Sequence, residues 1–254
     1  MSESSKINTP VINQTVRLLL DTDMGNDIDD ALALAMIHSL QSRGECKLIG
    51  VAVSKGHEYA PVYVDIINNF YGRPNIPIGM VRDGATTDEG EFAGKVAELK
   101  DNGKPRYART HQPGAYPEAV TMLRKLLVDQ PDNSVVLMMI GFSTNMDRLL
   151  ASGPDEIANI SGQALFKQKV KHVVMMAARF DEDAKANPTL ETREYNILKD
   201  IPAAKGFLDR CPSPIILSGL EIGKALMYPG STTEHLYDWT PHHPVAEAYR
   251  YFKT

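Results

Sequence analysis

The chain is short of cysteine, of long apolar runs and of excess positive charge, and each shortage removes a class of protein. Two cysteines, Cys46 and Cys211, in 254 residues have neither a CxxC partner nor metal-type spacing, which excludes a disulfide-stapled scaffold and points to reduced thiols in a cytoplasmic chain. No run of 18 apolar residues occurs, so no membrane-spanning helix is expected. The residues Met1 to Asn8 are polar and lack the apolar core of a secretory signal. The formal net charge is −5 with acids and bases interspersed, which gives no electrostatic footprint for nucleic acid or an anionic membrane. No linker rich in Pro, Gly or Ser divides the chain, so residues 16–254 read as one domain behind a flexible N-terminal arm at 1–15.

Short apolar, β-branched runs alternate with longer helical patterns. The spacing predicts strands at 16–20, 48–54, 76–80, 135–140, 170–176 and 214–217, and helices at 30–42, 61–71, 117–130, 144–151 and 201–210. This is the pattern of an α/β fold with an open, mainly parallel, doubly wound (Rossmann-like) sheet flanked by helices. The stretch 82–112, rich in Gly, Asp, Thr and charge, reads as an irregular insertion with one helix at 91–100, the kind of loop that covers or lines a site. In such sheets ligands bind beyond the carboxyl ends of the strands. The informative polar residues fall there: Asp21 and Asp23 after the first strand, Ser54 to His57 after the second, Gly141 to Asn145 after the fourth and Ala177 to Arg179 after the fifth.

The turn Asp21-Thr22-Asp23-Met24-Gly25-Asn26-Asp27-Ile28-Asp29-Asp30 puts five carboxylates between an apolar strand and an apolar helix. Crowded like charges either raise one another's pKa or share a cation, and an all-oxygen set suits Ca²⁺ or Mg²⁺. Helix capping would account for one or two of the acids, but not for Asp21 and Asp23 on the strand side. An EF-hand is excluded, because a strand precedes the turn and Leu32 stands where the loop's Glu belongs. A haloacid-dehalogenase-like phosphatase, with Asp21 as nucleophile, shares only the Asp-x-Asp strand end and is a lesser alternative.

The turn resembles the Asp-x-Asp-x-Gly-x-Asp-Asp-Ala signature of the inosine-uridine preferring nucleoside hydrolase family, with Asn26 and Asp27 as two extra residues before Ile28-Asp29-Asp30-Ala31. Further likenesses follow in the family's order. Gly72-Arg73-Pro74-Asn75-Ile76-Pro77-Ile78 resembles its third-strand entry, and Ser134 to Asn145 resembles its strand followed by Gly-Pro-Leu-Thr-Asn. Val173 to Ala178 stands where the family has Met-Gly-Gly. Asn187-Pro188-Thr189, Arg193-Glu194-Tyr195-Asn196-Ile197 and Asp200-Ile201-Pro202-Ala203-Ala204 resemble its Asn-x-x-Pro, Glu-Phe-Asn-Ile and Asp-Pro-Glu-Ala block.

The resemblance implies hydrolysis of the N-glycosidic bond of ribonucleosides, giving base and ribose, with one Ca²⁺ at the pocket floor. By that likeness Asp23, Asp30 and the backbone carbonyl of Ile140 ligate the metal, and Asp27 is either a spare ligand or a cap. Asp23 is the catalytic base that takes a proton from a Ca²⁺-bound water. Asp29, Asn187, Glu194 and Asn196 hold the sugar, with His57 as a further hydrogen-bonding group. The partner implied is a small-molecule nucleoside, and a homo-oligomer is compatible with the family's habits.

The sequence departs from the pattern in three places. Met24 replaces the usual Pro and the Asn26-Asp27 insertion lengthens the metal loop. Ser54-Lys55-Gly56-His57 stands where many members have a ribose-binding Asn. The family's C-terminal metal-binding Asp has no clear counterpart: either His243 stands near its position or the chain ends before it, and Asp238 is a poor match. The domain therefore reads as C-terminally incomplete, and a non-catalytic or impaired member that binds a nucleoside or sugar is the second reading. Base preference is not legible; Tyr107, His111, Arg179 and Phe180 are candidate base contacts, and Tyr195 and Trp239 read equally well as core.

Overall fold

Leu18, Leu19 and Leu20 are consecutive on the first strand yet feed two separate cores, Leu18 and Leu20 one, Leu19 the other. A strand buried on both faces needs helices above and below it, and a parallel sheet provides them through its crossovers. The computed structural model describes residues 15–182, 186, 193–235 and 237–253. Within them β1 (Val16–Thr22), β2 (Cys46–Val53), β3 (Ile78–Met80), β6 (Val135–Met139), β7 (Val170–Met176) and β8 (Ile215–Ser218) form one parallel sheet in the order β3-β2-β1-β6-β7-β8. A small antiparallel hairpin, β4 (Lys100–Asp101) and β5 (Lys104–Pro105), stands apart.

Helices α1 (Asp29–Ser42), α2 (Tyr59–Phe70), α3 (Ala93–Ala97) and α11 (Pro244–Phe252) pack together on one face. On the other lie α4 (Ala119–Val128), α5 (Thr144–Ala151), α6 (Gly162–Lys169) and α8 (Ile201–Arg210). Three short helices, α7 (Tyr195–Lys199), α9 (Leu220–Ala225) and α10 (Gly230–His235), complete the described residues. The strand order reverses at β1, whose neighbours β2 and β6 lie on opposite sides of it. This reversal opens a crevice between the carboxyl ends of β1 and β6, the switch point where doubly wound sheets bind ligands.

All six expected strands are present, and the helices differ mainly at their ends. Helix α2 starts at Tyr59 rather than 61, because Pro61 fits the first turn, where no backbone N–H is needed. Helix α4 starts at Ala119 because Glu118 caps it, accepting from the Thr121 N–H at 2.8 Å. The 82–112 stretch holds a helix shorter than expected, followed by the β4-β5 hairpin. The expected arm lies almost wholly outside the described residues. No helix among them is long and apolar enough to cross a membrane.

Three strand ends meet at one hydroxyl. Ser54, fully buried after β2, donates to the Thr22 carbonyl of β1 at 3.1 Å and accepts from the Phe142 N–H beyond β6 at 3.0 Å. Replacing Ser54 by Ala strands a buried N–H, which costs about 1–3 kcal/mol. The expected outcome is that loss in urea unfolding with the m-value unchanged; a loss under about 0.5 kcal/mol would show that the strand ends do not depend on this bridge.

Candidate functional site

The carboxylate turn begins inside the sheet. Asp21, the penultimate residue of β1, is fully buried, and its Oδ2 accepts from Asn145 Nδ2 at 2.9 Å. Burial pushes its carboxyl well above the usual range. Asp21 does not line the cavity described below, which leaves the phosphatase alternative without an accessible nucleophile.

Asp23 and Asp30 converge from the two sides of the turn. Asp23 is 4% exposed and Asp30 3%, and their side chains lie within hydrogen-bonding reach of each other. Burial raises Asp23 to about 6, against the lowering effect of the Asn26 amide, whose Nδ2 donates to its Oδ2 at 2.6 Å. Asp30 is pushed well up by burial, then by the charges of Asp23 and Asp29, although it accepts a bond from the Thr22 hydroxyl. Asp29 opens onto solvent at the start of α1, and its carboxyl is raised by the surrounding protein and by Asp27.

Capping does not explain this cluster. The cap position of α1 is Ile28, which makes no side-chain cap bond. Among the described residues Asp27 accepts from the adjacent Ile28 N–H at 2.7 Å, and Asp29 from the adjacent Asp30 N–H at 3.0 Å. Nor do Ser143 and Thr144 cap α5 through their side chains; the Thr144 hydroxyl donates to Asp200 at 2.6 Å.

A cavity of about 630 Å³ opens over the turn. The carboxylate turn and α1 supply Asp23, Asn26, Asp27, Asp29 and Asp30. The 82–92 segment supplies Asp88, Gly90 and Glu91, the strand ends Ile140 and Met176, and the start of α7 Arg193, Glu194, Tyr195 and Asn196. Seven of the lining residues are acids and one, Arg193, is a base, so a cation or an electron-poor group is favoured inside. A second cavity, of about 650 Å³, lies at the amino ends of the strands beside Arg17, Lys47 and Lys171, away from every candidate residue.

Ile140 is locked in place by both its polar atoms: its N–H donates to the Asp21 carbonyl at 2.9 Å and its carbonyl accepts from Asn196 Nδ2 at 3.1 Å. Gly141 then passes so close to β1 that a Cβ there would lie 2.3 Å from the Asp23 nitrogen; only glycine admits that approach. Glu194 caps α7, accepting from the Asn196 and Ile197 N–H groups at 2.7 and 2.9 Å, and reaches the Ala178 N–H at 3.2 Å. Ala178, where the resembling motif has glycine, adopts φ +65°, a conformation that costs a side chain about 1–2 kcal/mol.

The structure thus brings together Asp23, Asp27, Asp29, Asp30, Ile140, Glu194 and Asn196. Asn187 lies outside the described residues. His57 does not line the cavity; it sits at the start of α2, where its Nδ1 accepts from the Tyr59 N–H at 3.4 Å and its ring stacks on Tyr59. Tyr107, His111, Arg179 and Phe180 do not line it either. His243 caps α11 among the rings of Phe70 and Tyr237, and Trp239 is exposed beside it. Tyr195, which reads from the sequence equally well as core, lines the cavity, and Lys55, absent from the expected site residues, is a fully buried lysine whose Nζ donates to Asn26 and, at 3.0 Å, to Asp88. A cation directly after an apolar strand was the available signal for Lys55.

Among the described residues no three His, Cys, Asp or Glu side chains form a ready-made ligating cluster. Asp23, Asp30 and Ile140 line one cavity, and the oxygens they could offer, two carboxylates and a backbone carbonyl, suit a hard divalent cation in kind.

Fold and cavity together define a doubly wound α/β protein with an acidic cavity at its switch point. The model of the family described as inosine-uridine preferring nucleoside hydrolase matches residues 18–254, and the chain belongs to that family. Solved structures share the fold. A plant nucleoside hydrolase, PpNRh1, superposes with a TM-score of 0.62 at 19% identity, over 94% of this chain and 71% of its own. The type III effector XopQ, complexed with adenosine diphosphate ribose, gives 0.70 at 22% identity over 95% of this chain and 66% of its own. The effector XOO4466 gives 0.70 at 21%, over 95% and 65%. The chain thus spans about two thirds of the length of the two effectors. No curated protein matches the sequence.

The raised carboxyl of Asp23 makes stability fall with rising pH. Between the ordinary carboxylate value and about 6 the folded chain holds a proton that the unfolded chain has lost. With chelator present, Asp23→Asn removes this penalty. Its stability advantage over the wild type is expected to grow from pH 4 to above pH 6, by on the order of 2–3 kcal/mol, in urea unfolding at each pH. A gap that stays constant with pH would contradict the assignment.

Proposed function

We propose that this cavity hydrolyses the N-glycosidic bond of ribonucleosides, with Asp23 as the general base. The observation that carries the reading is the pair of nearly buried carboxylates, Asp23 and Asp30, which line one cavity with Ile140 at the switch point. Asp23, Asp30 and the Ile140 carbonyl would hold a Ca²⁺, with Asp27 at the rim. Ca²⁺ there supplies positive charge that offsets the carboxylates and acidifies water.

Asp23 accepts the proton of the attacking water as its oxygen bonds to the anomeric carbon, and the carbon–nitrogen bond breaks with its electron pair passing to the base. The acid lining favours the positive charge that builds on the ribose ring at the transition state. Asp29, open to the cavity, is placed to accept from ribose hydroxyls. Asn196 and Glu194 contribute in a different way, the first steadying the Ile140 carbonyl and the second joining β7 to α7, with the remaining faces of both directed at the sugar. Tyr195 at the mouth offers a ring face to the leaving base.

The test is base release from a panel of ribonucleosides, with Ca²⁺ and with chelator. Release that needs Ca²⁺ and falls by about 10²–10⁴ in kcat for Asp23→Ala is the expected result. Release indifferent to both would refute it. Nucleoside binding without release would instead support the impaired binding member.

A further inference from the structure

Lys55 is fully buried just beyond β2. Taking an ammonium out of water costs several kcal/mol unless partners replace its hydration. Its partners here belong to two different walls of the site. Nζ donates to Oδ1 of Asn26 and, at 3.0 Å, to Oδ2 of Asp88. Asn26 in turn donates from Nδ2 to Oδ2 of Asp23 at 2.6 Å. An ammonium can only donate, so it takes the oxygen of the amide and turns the NH₂ toward Asp23. Chemistry therefore fixes the order Lys55, Asn26, Asp23.

The second wall is the 82–92 segment, which contributes Asp88, Gly90 and Glu91 to the cavity. It closes on the carboxylate turn at Gly25. The Glu91 N–H donates to the Gly25 carbonyl at 3.3 Å, and a Cβ on Gly90, at φ +76°, would lie 2.1 Å from that carbonyl oxygen. Asn26 is one of the two residues that lengthen the turn relative to the signature it resembles, so the relay depends on a residue this chain adds.

We propose that Lys55 is a positioning residue for the reaction: it orients the Asn26 amide that holds one oxygen of Asp23, and it tethers the 82–92 wall through Asp88. A single ammonium thereby sets both the aim of the base and the closure of the cavity over it. The inference rests on the hydrolase reading above and adds to it the device that positions the base.

The full chain tests it through Lys55→Met, Lys55→Arg, Asn26→Ala, the double variant Lys55→Met/Asn26→Ala, and Asp88→Asn. Base release is read as kcat and KM, and amide hydrogen exchange of residues 85–92 is followed independently. Lys55→Met and Asn26→Ala are each expected to lower kcat by at least ~30-fold with KM within ~3-fold, the double variant being no worse than the more affected single one. Lys55→Arg should recover most of the loss, and exchange in 85–92 should quicken in Lys55→Met and Asp88→Asn. A kcat within ~3-fold of wild type in either single variant, or multiplied losses in the double one, would overturn the proposal. Should Lys55→Met fail to fold, Asn26→Ala and Asp88→Asn decide by the same readings. A wild type that releases no base sinks the hydrolase reading and this proposal with it; an active wild type with indifferent variants sinks this proposal alone.

Discussion

Two carboxylates within hydrogen-bonding reach of each other, both nearly removed from water, are the constraint around which the rest of this molecule is arranged. Two unit charges 4 Å apart at an effective dielectric of 20 repel by about 4 kcal/mol. That is a large part of the roughly 5–15 kcal/mol that holds a domain together. Such a pair persists only if a proton or a cation stands between the charges. The fold allows the arrangement because Asp23 and Asp30 are anchored on separate rigid pieces, the end of β1 and the first turn of α1. Those pieces are in turn clamped by Ser54, Gly141 and the Thr22 hydroxyl.

The parts of the fold that were legible in the sequence are those that packing makes periodic. Val16 to Leu20 and Val135 to Met139 read as buried strands because both faces of a parallel strand meet helices. Helices α6, α7, α9 and α10 were not expected. They are short, and α9 has no buried residue to give it an apolar stripe. Ser161 and Glu194 cap α6 and α7 through N–H groups of their own first turns, and Glu194 reaches Ala178 as well.

The carboxylate turn was legible for a related reason: so many acids at one strand end have no use in packing. The same logic failed for side chains whose role depends on a partner far along the chain. His57, read as a sugar contact, belongs to the start of α2. Lys55, two residues before it, is the side chain that reaches the turn, and its partners Asn26 and Asp88 are 29 and 33 residues away. Two of the three departures from the family signature are thus connected in space. The insertion that brings Asn26 and the segment Ser54 to His57 that brings Lys55 meet in one hydrogen-bonded unit beside Asp23.

An Asp23–Asp30 pair this far removed from water has a use if it holds a cation. Calorimetric titration of Ca²⁺ into the full chain, the Asp23→Asn variant and the Asp30→Asn variant at neutral pH tests it most directly. Saturable binding by the wild type that is lost in both variants is the result predicted. Absence of binding to the wild type, or binding that survives either substitution, would contradict it.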